Sequence, residues 1–160
     1  MGGTVVFGTT FWIENENTKI MIGKDFTART GTHIAACEGA NIYIGDDCML
    51  SEDIEMRSTD SHAIYDLKTR KRINKAKEIR IGDHVWLTAH VRILKGAIIA
   101  EHSIVGNSSV VTGHHDTSHA IYAGNPCKLI KQNVDWSRSR EEILPQTEST
   151  VVINDKDKKL

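Results

Sequence analysis

His62 stands within the run Ser58, Thr59, Asp60, Ser61, His62, Ala63, Ile64, Tyr65, Asp66, where the chain abandons the pattern that governs most of its length. Histidine is the side chain that can take up and return a proton near neutral pH, so a positioned imidazole here could serve as a general base. A neighbouring carboxylate would hold one imidazole tautomer. Asp60 and Asp66 are both candidates, and the sequence does not choose between them. A basic group follows in Arg70, Lys71 and Arg72, with Asn74 just beyond. It reads either as a solvated charged loop or as the lining of a cleft that favours an acidic ligand.

The chain holds eight histidines, and three of them recur at equivalent places. His84, His90 and His102 each lie three positions after an aliphatic residue of the repeat described below, and His84 and His102 are three repeats apart. Repeating coils would stack these two about 4.8 Å apart on one corner column. A catalytic zinc needs about three protein ligands and an open position. Corners of this kind face solvent, so a surface column is expected and no metal. The three cysteines, Cys37, Cys48 and Cys127, are widely spaced with no C-x-x-C motif, which argues against a disulfide framework or a structural zinc. Cys48 reads as a reduced core thiol.

These residues must be positioned by something, and the sequence shows what. Aliphatic side chains fall at every sixth position through Ile81, Leu87, Ile93, Ile99, Val105 and Val111, and again at Ile44, Leu50 and Met56. A six-residue period fits neither a helix nor simple strand alternation, but it is a parallel β-helix repeat. The next residue is Gly23, Gly45, Gly82 or Gly106, or the small Ser51, Thr88 or Ala100. Three hexads make one triangular coil, with aliphatic residues inward and small residues at tight corners that accept unusual backbone angles. The predicted fold class is all-β, a parallel β-helix with an extruded loop.

One domain over residues 1–144 is expected, with early coils over 4–60, the loop over 61–78 and the most regular coils over 79–113. A short C-terminal helix after Pro126 would form a cap over 126–144, followed by a polar, mobile tail over 145–160. The charges nearly balance, with 20 Lys and Arg against 21 Asp and Glu, so nucleic acid is not an evident partner. No apolar run approaches membrane-spanning length and no secretory signal is visible, so a cytoplasmic location is the default.

Three features in order carry a family resemblance over roughly residues 20–135. They are the hexads interrupted by a loop opening at His62, the restart at Ile81-Gly82-Asp83-His84-Val85-Trp86 with Trp86 four hexad lengths after His62, and Ala123-Gly124-Asn125-Pro126-Cys127-Lys128-Leu129-Ile130-Lys131. The chain resembles hexapeptide-repeat acyltransferases, especially those that O-acetylate sugars and capsular or lipopolysaccharide glycans. The resemblance implies a left-handed winding, against the usual right-handed crossover. It also implies a homotrimer with acetyl-CoA held between adjacent subunits.

For the site, the resemblance makes His62 the base that takes the acceptor hydroxyl proton and returns it to the CoA thiolate, with Asp60 or Asp66 orienting it. Trp86 would border the thioester, and backbone amides near Trp86 and Ala89 would hold the oxyanion. CoA contacts fall on Ala89, Asn107, Thr112, Gly113, Lys128 and Lys131, the two lysines meeting phosphates. Asp66, Arg70, Lys71, Arg72 and Asn74 would line the acceptor cleft and favour an acidic sugar such as a sialic or uronic acid. The sequence departs from the family at Gly113-His114-His115-Asp116-Thr117-Ser118-His119, which lacks the expected lysine and proline pair. N-acetylation of an amino sugar, or a non-catalytic assembly scaffold, are the alternatives.

Overall fold

The computed structural model describes residues 3–143. Among these residues seventeen short strands form three sheets of seven, five and five strands, and the first sixteen pass from sheet to sheet in turn, so that every third one shares a face. Each turn of chain therefore supplies one rung to each side of a triangular prism. The first face stacks Val5–Val6, Thr27–Ala28, Met49–Leu50, Trp86–Leu87, Ser103–Val105 and Ala120–Ala123. The second face includes His33–Ala36, Glu55–Arg57 and Arg92–Ile93, and the third Ile42–Ile44, Ile79–Ile81 and Ile98–Ile99. All these pairings are parallel.

The hexad residues form the core. Leu50, Met56, Leu87, Ile93, Val105 and Val111 are fully buried, with Cys48, Ile54, Val85 and Val91 filling the positions two residues before a hexad residue. Apolar burial of this kind, roughly 1.5–3 kcal/mol per large side chain, holds the coils together. The three cysteines are free and buried, as the sequence reading expected for Cys48, and burial pushes its thiol up to about 12.

Register reveals where the chain departs from its beat. Leu87 pairs with Val105, three hexads on. Ala28 pairs with Leu50 across a longer stretch of chain, and Leu50 with Leu87 across a longer one still. The inward positions Ile34 to Ile44 and Met56 to Ile81 span the same second-to-third corner, so the extra residues of both coils lie there. One corner takes the enlargements of these two coils: a widened turn around Glu38 and Gly39, then the loop between Arg57 and Ile79. This explains the irregular registration of the early coils.

The small residues work differently from the expectation. Gly23, Gly45 and Gly82 are needed for close approach: a Cβ on Gly45 would lie 2.7 Å from the Asp83 amide nitrogen, and one on Gly82 2.6 Å from the Glu101 amide nitrogen. The left-handed backbone falls two residues later, on Asp25, Asp47, His84 and His102, with φ of 55°, 51°, 52° and 53°. Asp and His are among the side chains that enter this region most readily.

The expected C-terminal helix is absent. Lys128–Gln132 is a strand, pairing antiparallel with Ala120–Ala123 and closing the edge of the first face. Beyond it, 134–138 runs back across the stacked coils as a strap. Val134 N donates to His119 O at 3.1 Å, Trp136 Nε1 to His84 O at 2.8 Å, and Arg138 Nη1 to Thr27 Oγ1 at 3.0 Å. The tail expected over 145–160 lies outside the described residues. Among the described residues no helix is long and apolar enough to cross a membrane.

Candidate active site

The loop carrying His62 is built around Asn74, which is buried and uses its whole amide. Its Oδ1 accepts from Ile64 N at 2.7 Å and Arg72 Nε at 3.2 Å. Its Nδ2 donates to the His62 carbonyl at 2.7 Å and Asp60 Oδ2 at 2.8 Å. Lys95, from the next coil at the same corner, pairs with Asp60 and donates to the Asn74 carbonyl at 3.2 Å. The Lys95 ammonium and the Asn74 amide hold the Asp60 carboxyl below its ordinary range.

A second brace comes from the widened turn. Arg72 Nη1 donates to Glu38 Oε2 at 2.7 Å and Nη2 to Oε1 at 3.0 Å, while Thr59 Oγ1 donates to Glu38 Oε1 at 2.5 Å. Hydrogen bonds from Arg72 and Thr59 lower the Glu38 carboxyl to about 2. Bidentate pairing fixes orientation as well as charge. The loop root is thus anchored from the coil before it and the coil after it.

His62 projects from this frame, exposed to solvent. Neither carboxylate considered from the sequence meets its ring. Asp60 is committed to Asn74 and Lys95, and Asp66 accepts from Thr69 N at 2.7 Å and Thr69 Oγ1 at 2.8 Å. Of the residues expected to line an acceptor cleft, Arg72 and Asn74 are internal braces. Arg70 and Lys71 are exposed at the tip, and no ion pair engages them among the described residues. Sequence reasoning missed Glu38, Thr59 and Lys95, whose role depends on stacking distant residues at one corner. At the foot of the loop the second face holds a groove of about 410 Å³ lined by His33, Arg57, Thr59 and Ser61, among others.

The cofactor candidates fall on two edges. Trp86 lies on the outer side of the first face, its indole donating to Ser51 Oγ at 3.3 Å. Ala89 and Asn107 stack one coil apart at the adjoining first-to-second corner, and the amide N–H of each has no protein acceptor among the described residues. Trp86 pairs with Ile104, Ile104 with Ile121, and Ile121 with Lys131, a column of about 14 Å at parallel-strand spacing. A register shift in the closing strand sets Lys128 opposite Ala123 and Lys131 opposite Ile121. Both ammonium groups therefore share the outer side of the first face. Thr112 and Gly113 sit instead at the second-to-third corner, above the His62 loop. Within one chain, His62 and Trp86 lie on different sides of the prism.

Comparison with known proteins fits this architecture. No family model matches the chain. It is 37% identical over 127 residues to the polysialic acid O-acetyltransferase of Escherichia coli O1:K1 / APEC, and 42% identical over 105 residues to that of Neisseria meningitidis. Those alignments cover 79% and 66% of the chain but 41% and 49% of the relatives, so the chain spans less than half their length. The crystal structure of the polysialic acid O-acetyltransferase OatWY matches with a TM-score of 0.79 at 35% identity, covering 92% of this chain and 66% of that one. A galactoside acetyltransferase in complex with coenzyme A matches with a TM-score of 0.61 at 25% identity, covering 81% and 65%.

Fold and loop together define a left-handed parallel β-helix of hexapeptide repeats. The chain belongs to the hexapeptide-repeat acyltransferase family.

Proposed function

We propose that the chain is an acetyl-CoA-dependent O-acetyltransferase acting on a hydroxyl of an acidic cell-surface polysaccharide in the cytoplasm. The observation that carries this is His62, exposed on a loop braced by Glu38–Arg72 and Asp60–Asn74–Lys95, in a chain resembling polysialic acid O-acetyltransferases. His62 takes the acceptor hydroxyl proton as the oxygen attacks the thioester carbonyl. The amide of Ala89, beside Trp86 and with no protein acceptor among the described residues, is suited to the oxyanion, since a preorganised donor stabilises charge as it develops. Collapse of the intermediate expels the CoA thiolate, which receives the proton from His62. The column from Trp86 to Lys131 suits the pantetheine arm, with Lys128 and Lys131 at the phosphates and Thr112 and Gly113 contacting the cofactor from the other edge.

Because His62 and Trp86 occupy different sides of one prism, a complete site needs two copies, and a homotrimer with CoA between neighbours meets that need. Arg70 and Lys71 at the loop tip supply positive charge for an acidic acceptor. The test is thiol release from acetyl-CoA across a panel of neutral, amino and acidic glycans, including polysialic acid, with His62→Ala beside the wild type. Release that depends on an acidic acceptor and on His62 is expected. Absence of acceptor-dependent release from every glycan would instead indicate a non-catalytic scaffold.

A further inference from the structure

Beside Trp86, which lies 6.0 Å from Trp136 of the strap, three histidines and one aspartate converge where the strap crosses the third-to-first corner. His84 and His102 stack with ring centroids 5.0 Å apart, and His119 continues the column 4.4 Å from His102. Asp135 on the strap faces all three. Its Oδ1 lies 3.5 Å from His84 Nε2, and its Oδ2 lies 3.3 Å from His102 Nδ1 and 3.8 Å from His119 Nδ1. The ligand atoms of His84, His102 and Asp135 all lie within 4.8 Å of one another.

These separations are long for charge-assisted hydrogen bonds, which run about 2.7–2.9 Å. The 3.5 and 3.3 Å from Asp135 to His84 and His102 lie near the edge of a tetrahedron around zinc, about 3.3–3.4 Å for bonds of 2.0–2.1 Å. The orientation of His84 agrees. Its Nδ1 lies 2.6 Å from Asp47 Oδ2, the carboxylate–histidine arrangement that leaves Nε2 with its lone pair directed outward. That nitrogen faces two acceptors, the Trp136 carbonyl at 3.0 Å and Asp135, and meets them either as the N–H of an imidazolium or as a lone pair turned to a cation beside them. Imidazole nitrogen with one carboxylate is a donor set for a borderline divalent ion. The sequence expectation of no metal took this corner to be open to solvent; here the strap covers His84, with Trp136 stacked flat on it at 4.2 Å, while His102 and His119 stay partly exposed.

We propose that His84 Nε2, His102 Nδ1 and the Asp135 carboxylate bind one zinc-like divalent ion, with His119 beside the fourth position. The ion ties the strap to two successive coils, a structural role. The full chain, stripped of metal with chelator, is titrated with Co²⁺ and then Zn²⁺. One Co²⁺ per chain is expected, with the visible absorption of tetrahedral cobalt, displaced by Zn²⁺, and Zn²⁺ should raise Tm. His84→Asn, which tolerates the left-handed corner, and the isosteric Asp135→Asn should each weaken binding at least tenfold and abolish the Tm rise. His114→Asn, exposed and off this column, should change neither. Circular dichroism of each variant verifies folding. A flat titration, or His114→Asn weakening binding as much as His84→Asn, overturns the proposal.

Discussion

Arg72 and Glu38 join the loop to the widened turn of the preceding coil through two parallel hydrogen bonds of 2.7 and 3.0 Å. Partly exposed pairs contribute only about 0.2–1 kcal/mol to global stability. Glu38→Gln should therefore leave Tm nearly unchanged while tryptic cleavage at Arg70 or Lys71 accelerates. An unaltered cleavage rate would mean that Asn74 alone holds the loop.

The same pair sets an acid limit. The Glu38 carboxyl is lowered to about 2 in the folded chain, against about 4.5 for an unperturbed glutamate, so its contribution is complete above the higher value and fades as pH falls toward the lower. Hydrogen exchange of the loop amides should quicken, after correction for intrinsic rates, as pH drops through that window. Glu38→Gln should show no such dependence.

Asn74→Ala removes four hydrogen bonds at once and leaves the Ile64 amide and His62 carbonyl without their partner. A cost of about 1–3 kcal/mol is expected, read as a lower midpoint in urea. If His62 is the base, kcat should fall further than that loss of folded protein explains, with KM for acetyl-CoA little changed.

Lys128→Ala with Lys131→Ala should raise KM for acetyl-CoA severalfold at low salt and spare kcat. The difference from wild type should shrink as salt screens the phosphates. A matched rise in KM for the acceptor would move these lysines to the other substrate.

Gly45→Ala would press a Cβ onto the Asp83 amide nitrogen, which is backbone and cannot swing aside. A loss of about 1–3 kcal/mol is expected from such overpacking. Ser108→Gly, at a left-handed corner with φ of 57°, should keep or raise Tm. The opposite order would contradict the assignment of close approach to one position and backbone strain to another.

The coils from Ile81 to Val111 were legible because each inward residue lies six positions from the next. Earlier coils were blurred by added residues around Glu38, which shift the phase without disturbing the stack. The strand Lys128–Gln132 was read as a helix because its pairing with Ala120–Ala123 is tertiary and leaves a weak local pattern. The stacking of His84 and His102 followed from their spacing. Asp135 could not be assigned to that column because only the strap's return path brings it there. Likewise local sequence leaves Asp60 free to orient His62, whereas Lys95, from the following coil, shares its carboxylate.

Confining the long insertions to one corner separates two jobs that most folds entangle. Residues added there leave Ile44 under Ile81 and Leu50 under Leu87. A single residue added within a face would invert the side-chain alternation of that strand, turning core positions outward. The second-to-third corner is thus a grafting port: loops of other lengths and compositions can be exchanged at Ser58–Lys77 to redirect acceptor choice while the prism keeps its phase.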